Sequence, residues 1–187
     1  PSAVSGGAMT LLETQTASSS ATISFTSGID STYDEYVFRF YDIHPATNNQ
    51  HLAFQGNASG GSGYNETITS TSFVAYHKED GSQSALTYAA ANDQAQGTSF
   101  QRISNGTGNA NEESCNGYLH LFAPSNTTFI KHFIARFTTY YHLSSDQYVY
   151  DQYISGYFNT TSAIDEIQFK FESGNIDSRV IKLYGIS

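Results

Sequence analysis

The chain has 187 residues, with 8 Lys and Arg against 17 Asp and Glu, a formal net charge of −9 and only 13% charged residues. That length supports a single domain with one hydrophobic centre and no need of disulfides or metal. The acidic balance, with no Lys or Arg before Arg39, argues against nucleic acid and against an anionic membrane surface, since both demand clustered cations. Aromatic residues reach 14% without any Trp, and together with abundant Ser, Thr, Asn and Gly they describe Tyr- and Phe-packed sheets, not helices.

Residues 1–10 are small and polar, include Gly6-Gly7, lack periodicity, and read as a flexible N-terminal arm. They show neither a basic n-region nor a long apolar core, and no run in the chain approaches ~20 apolar residues, so the expectation is a soluble protein. Residues 11–187 form the expected single β-sandwich domain. Within it, residues 11–16 and 22–26 read as short strands separated by Ser18-Ser19-Ser20. Residues 36–43 are apolar on both faces, which fits a central strand ended by Pro45. Residues 56–63 have the composition of an exposed loop.

Residues 73–77 and 84–88 flank Asp80-Gly81, a hairpin turn signal. Residues 88–97, with Ala89-Ala90-Ala91, are the one place where a helical turn fits. Strands follow at 100–103, at 118–122 before Pro124, at 129–141 and at 147–157, with a polar loop over 105–113. In the longest of these, Phe129, Phe133, Ala135 and Phe137 fall on one face and Ile130, His132, Ile134 and Arg136 on the other. The chain closes with Ile167, Phe169 and Phe171 alternating before Ser173-Gly174-Asn175, and a returning run over 179–184, the pattern of a hairpin that closes an antiparallel sheet. About a dozen short strands without helical periods predict an all-β antiparallel sandwich, most simply a jelly roll.

Chemistry-bearing motifs are weak. Gly60-Gly61-Ser62-Gly63 lacks the spacing of a nucleophile elbow, and Gly106-Thr107-Gly108 lacks the continuation of a phosphate loop. The six histidines, at 44, 51, 77, 120, 132 and 142, share no ligand spacing, and Cys115 is the only cysteine, so it reads as a small buried apolar group. Asn109, Asn111 and Glu113 offer hard oxygens of the kind calcium takes but lack the rest of a loop site. Glu112, Glu113, Asp165, Glu166 and Glu172 are the carboxylates from which a glycosidase pair would be drawn. No cofactor is called for and no enzyme is expected. The stronger cue is aromatic: Tyr140, Tyr141 and His142, with Tyr148 and Tyr150 after them, are candidate interface residues, as are Leu11 and Leu12.

Two stretches, one opening with Leu12-Glu13-Thr14-Gln15-Thr16 and one with Ser173-Gly174-Asn175-Ile176, resemble a family of tailed-bacteriophage virion proteins common in marine and cyanobacterial phages. One is Leu12-Glu13-Thr14-Gln15-Thr16-Ala17-Ser18-Ser19-Ser20-Ala21-Thr22-Ile23-Ser24-Phe25-Thr26, continuing into Gly28-Ile29-Asp30 and Tyr36-Val37-Phe38. The other runs from Ser173-Gly174-Asn175-Ile176-Asp177-Ser178 to Ile181-Lys182-Leu183-Tyr184-Gly185-Ile186. The resemblance implies a β-sandwich at the surface of a virion: a decoration protein bound to the major capsid protein, or a piece of the tail among tail proteins. It also implies a homo-oligomer, with a trimer favoured. The absence of a coiled-coil or repetitive shaft favours the head. The alternative is a tail-fibre or adhesin module that binds glycans through its tyrosines.

Overall fold

The computed structural model describes residues 9–143 and 146–186, the side chains of His142 and Leu143 excepted. Among the described residues twelve strands are divided between two layers. They are β1 (Thr10–Ser20), β2 (Ile23–Phe25), β3 (Glu35–Pro45), β4 (Leu52–Ala58), β5 (Ile68–Lys78) and β6 (Ser84–Tyr88), then β7 (Gln101–Arg102), β8 (Cys115–Phe122), β9 (Lys131–Leu143), β10 (Asp146–Phe158), β11 (Ile164–Phe171) and β12 (Ile176–Ile186). An eight-stranded sheet runs β1-β12-β3-β8-β9-β10-β5-β6, and a four-stranded sheet runs β2-β11-β4-β7. Every pairing is antiparallel. The chain is therefore an all-β sandwich, with a strand order compatible with a jelly roll.

Phenylalanine builds the core because a ring without a polar atom loses nothing when both sheets close over it. Phe169 of β11 meets Phe38 and Phe40 of β3 edge to face, with centroids 5.1 and 5.0 Å apart, while Phe54 of β4 meets Phe133 of β9 at 5.0 Å. These contacts join the two layers. Cys115 is fully buried beneath them, and burial pushes its thiol up to about 12. Lys131 is also fully buried, its ammonium donating to the carbonyls of Phe129 (2.5 Å) and Thr161 (3.2 Å), and burial lowers its pKa.

Several expectations are corrected. Alternation told that residues 164–171 and 176–186 are strands, but they do not form a hairpin: β11 pairs with β2 and β4, whereas β12 lies between β1 and β3 in the other sheet. The turn between them crosses the sandwich. Gly174 takes φ 74° there, and a Cβ on it would lie 2.2 Å from Thr47 Oγ1. Crossing lets Phe169 and Phe171 face Ile181 and Leu183 through the core, where all four are buried. Period-two alternation fixes which face is buried but is silent about which strand sits alongside.

The serines at 18–20 do not punctuate: β1 runs through them, paired with β12 from Thr10↔Gly185 to Ser20↔Ile176. Gly56, Asn57 and Ala58 belong to buried β4 and not to a loop. Gly56 is required there, because an added Cβ would meet the Phe158 ring at 2.9 Å. Residues 88–97 contain turns but no helix, and Phe129, expected on the core face, is 68% exposed just before β9 begins. The hairpin around Asp80-Gly81 forms as expected between β5 and β6. Of the flexible arm at 1–10, residues 1–8 lie outside the described residues, and Thr10 is already in β1.

Candidate functional site: the outer face of the eight-stranded sheet

The four-stranded sheet covers only the inner face of its larger partner. Of nine large apolar residues exposed among the described residues, seven project from the opposite, outer face: Leu11, Tyr41, Phe73, Leu86, Tyr88, Ile134 and Val149. That bias identifies the outer face as the surface to be explained, since a contiguous apolar face rimmed by polar groups marks an interaction site. It has two parts.

One part is the flank at β5 and β6. Leu86 and Tyr88 stand 70% and 58% exposed, opposite Ala75 and Phe73. Phe73 in turn stacks on Tyr153 of β10, with centroids 4.7 Å apart and planes 7° from parallel. β6 has no strand beyond it, so this flank is also an open sheet edge among the described residues.

The other part is a trough of about 560 Å³ over β3, β8, β9 and β10, walled by Arg39, Tyr41, Tyr118, Arg136, Val149 and Asp151. Each residue points outward because its neighbours in the strand, such as Phe40 and Leu119, fill the core. Arg136 forms a two-pronged ion pair with Asp151, Nε to Oδ1 at 2.9 Å and Nη2 to Oδ2 at 2.7 Å, and lies 4.7 Å from the Tyr153 ring. The guanidinium holds the Asp151 carboxyl below its ordinary value. Arg39 sits 5.3 Å from the Tyr118 ring and Lys182 5.6 Å from that of Tyr41. Tyr184, beside them on β12, has its pKa raised by burial and then by its hydrogen bond with Tyr41. A smaller recess of about 160 Å³ and a wider hollow of about 530 Å³ continue the trough toward Phe73 and Tyr157.

The sequence candidates divide between locations. Tyr141, Tyr148 and Tyr150 do converge, joined by Tyr76: Tyr150 is 4.9 Å from Tyr141 and 5.3 Å from Tyr76. They point inward, however. Tyr148 is only 8% exposed, its hydroxyl donating to Gln83 Oε1 at 3.2 Å, and burial pushes Tyr150 up to about 12. They form an aromatic plug at the end of the sandwich. Tyr140 faces outward, Leu11 is half exposed at the opposite edge, Leu12 packs on the core, and the side chain of His142 lies outside the described residues.

The carboxylates from which a glycosidase pair would be drawn do not gather at one place. Glu172 pairs with Arg102 (Nε to Oε1, 2.6 Å), and Glu166 accepts from the Tyr64 hydroxyl at 2.8 Å. Glu113 accepts from the backbone N–H of Ala110 at 2.8 Å within its own loop, and Asn109 donates to the Ala46 carbonyl at 3.3 Å, tying that loop to the one after β3. Glu112 and Glu113 share a cleft of about 430 Å³ with Asp42, His44 and Asp177. Among the described residues no three His, Cys, Asp or Glu side chains converge on a metal position. His120 pairs with Glu35, and burial lowers the pKa of His51, which bonds to the Ser104 carbonyl.

Sequence reasoning missed Arg39 and Lys182, which lie far apart in the chain yet sit directly opposite each other on β3 and β12. Residues 36–43, apolar on both faces, gave no sign of which way Arg39 points, and the pairing that sets it opposite Lys182 was not readable. The chain matches no protein-family model, no curated protein and no solved structure.

Proposed function

We propose that this chain is a structural component of a bacteriophage particle, a decoration protein that binds the outside of the head and catalyses nothing. The observation that carries the reading is the concentration of exposed apolar side chains on one face of the larger sheet. A rigid two-layer body presenting such a face is suited to attachment, and the resemblance of both chain ends to phage virion proteins supplies the setting. The β5–β6 flank is the contact with the major capsid protein, because Leu86 and Tyr88 bring exposed apolar area at an open sheet edge and the lysine of the flank, Lys78, is already paired with Asp80 and Asp146. The proposed assembly is a homo-oligomer, in the first instance a trimer, as fits a local three-fold position.

The test is co-sedimentation of the purified chain with phage heads stripped of their surface protein, alongside a Leu86→Asp/Tyr88→Asp variant. Wild type is expected to pellet with heads and the variant to stay in solution. Full binding by the variant, or none by wild type, removes the reading. Sedimentation equilibrium of the free chain checks the trimer.

A second reading, an adhesin module that binds glycans, is favoured by one specific observation: the trough places the rings of Tyr41 and Tyr118 beside cationic side chains. The two readings use different parts of the outer face.

A further inference from the structure

We propose that the trough over β3, β8, β9 and β10, with Lys182 of β12 beside it against the ring of Tyr41, is a binding site for an acidic polysaccharide, its sugar carboxylates held by Arg39 and Lys182 and its ring faces laid against Tyr41 and Tyr118. This deepens the glycan reading and is independent of attachment to heads.

The argument begins with a cost. Lys182 and Arg39 are register partners on adjacent strands and project from the same face. Like charges directly opposite each other in a sheet are destabilising. The chain has 17 Asp and Glu with which to relieve that repulsion, yet no ion pair among the described residues involves either cation. Arg136, one strand beyond Tyr118, shows the contrast: its guanidinium is already committed to Asp151 at 2.7 and 2.9 Å. Arg39 and Lys182 have only tyrosine rings, at 5.3 and 5.6 Å. A cation over a ring is attracted to it but keeps its hydrogen-bond donors available for an anion. The pair is thus two adjacent, uncommitted positive charges on a protein of net charge −9.

The surroundings select the form of the anion. Arg presents a planar fork that matches a carboxylate in two-pronged fashion, and Lys adds a point charge beside it. Tyr41 is 46% exposed, and the trough continues past Tyr118 to the stacked Phe73–Tyr153 pair on β5 and β10. Flat aromatic surface in line with the charges suits the C–H faces of linked sugar rings better than it suits a flexible acidic peptide, whose side chains carry no such face. From Lys182 on β12, across the trough and the recess beyond it, to Phe73 on β5 the outer face spans five strand spacings of ~4.8 Å, or ~24 Å, room for several residues of an extended polysaccharide. The overall negative charge does not prevent capture, because at physiological salt charges more than ~8 Å away are largely screened.

The experiment is affinity electrophoresis of the isolated chain through gels containing polygalacturonate, neutral dextran or poly-L-glutamate, with Arg39→Gln/Lys182→Gln and Tyr118→Ala variants. Polygalacturonate is expected to retard the wild type, and the double variant to bind about tenfold or more weakly, the loss of one or two charge-assisted hydrogen bonds. Its melting temperature in the absence of polymer is expected to match or exceed that of wild type, because a repulsion has been removed; Lys182→Gln alone gives a second route should the double variant fold poorly. Tyr118→Ala is expected to weaken polygalacturonate binding as well. The proposal is overturned if polygalacturonate does not retard the wild type, if the double variant binds it equally, or if dextran or poly-L-glutamate binds as tightly. Head binding through Leu86 and Tyr88 is measured separately, so either reading fails without taking the other with it.

Discussion

The two faces of the eight-stranded sheet are made from the same strands and use aromatic residues differently: phenylalanine fills the body of the inner face, where tyrosine is gathered mainly into the plug at one end, and tyrosine predominates on the outer face. Nine of the thirteen phenylalanines are buried, whereas of fourteen tyrosines only Tyr36 and Tyr148 are. The hydroxyl makes the difference: a buried Tyr needs a partner, as Tyr36 finds in the Asp30 carbonyl at 3.0 Å, while an outward Tyr presents its ring and leaves the hydroxyl to solvent. The inner face is thereby specified as a packing surface and the outer face as a contact surface.

The comparison is broken most directly by Phe169→Ala. Phe169 meets Phe38 and Phe40 across the two layers and Phe25 and Phe54 within its own sheet, so its loss is expected to cost about 3–5 kcal/mol in urea unfolding. A loss below about 1 kcal/mol would mean that the layers are not held together there. Next comes Gln55→Leu. Gln55 is fully buried, its amide N–H groups reaching the carbonyls of Glu66 (3.0 Å), Thr98 (3.3 Å) and Ser99 (3.1 Å). Removing the amide strands those groups at a cost of about 1–3 kcal/mol, with faster hydrogen exchange expected in the segments around 66 and 98. Unchanged exchange there would show that the side chain does not tie these segments down. Gly174→Ala is expected to cost about 1–3 kcal/mol by forcing a side chain into a left-handed turn against Thr47.

Smaller effects sharpen the contrast. Tyr150 keeps its proton to about 12, mainly through burial, against an ordinary value of 10.0. Its contribution to stability is therefore complete below pH 10 and is lost as pH rises toward 12, since the unfolded chain releases the proton first. Tyr150→Phe is expected to flatten that part of the stability–pH profile, and an unaltered slope would place the ionising group elsewhere. Least of all, Ile134→Ser on the outer face is expected to change stability by no more than about 0.5 kcal/mol, in keeping with its 47% exposure. A larger loss would make the outer face part of the fold's support.

Much of this division was legible in the sequence. The alternation of Phe133, Ala135 and Phe137 against Ile134 and Arg136 assigned both faces of β9 correctly, and Asp80-Gly81 marked its hairpin. What was not legible depends on partners distant in the chain. Residues 164–171 and 176–186 carry the signature of a hairpin yet enter different sheets, because an apolar alternation is satisfied equally by a neighbour alongside or a layer opposite. Nothing around Gln55 in the sequence marks it for burial, which follows from the loops that fold over it. The tyrosine candidates illustrate the same limit: clustering in sequence located Tyr141, Tyr148 and Tyr150 correctly near one another, while strand phase placed them on the inward side and left Tyr41, Tyr118 and Tyr153 to form the outward one.

The position of β12 also bears on how the molecule forms. Within the large sheet β1 pairs with β12 alone, through partners as distant as Thr10 and Gly185, and β12 is the last strand in chain order. Strand β1 therefore acquires its neighbour in the sheet only once β12, more than 150 residues further along the chain, is in place. Such long-range closure predicts slow folding and a period in which the edges of β1 and β3 are open to other chains, so expression at low temperature, or with chaperones in excess, is expected to raise the yield of correctly closed protein.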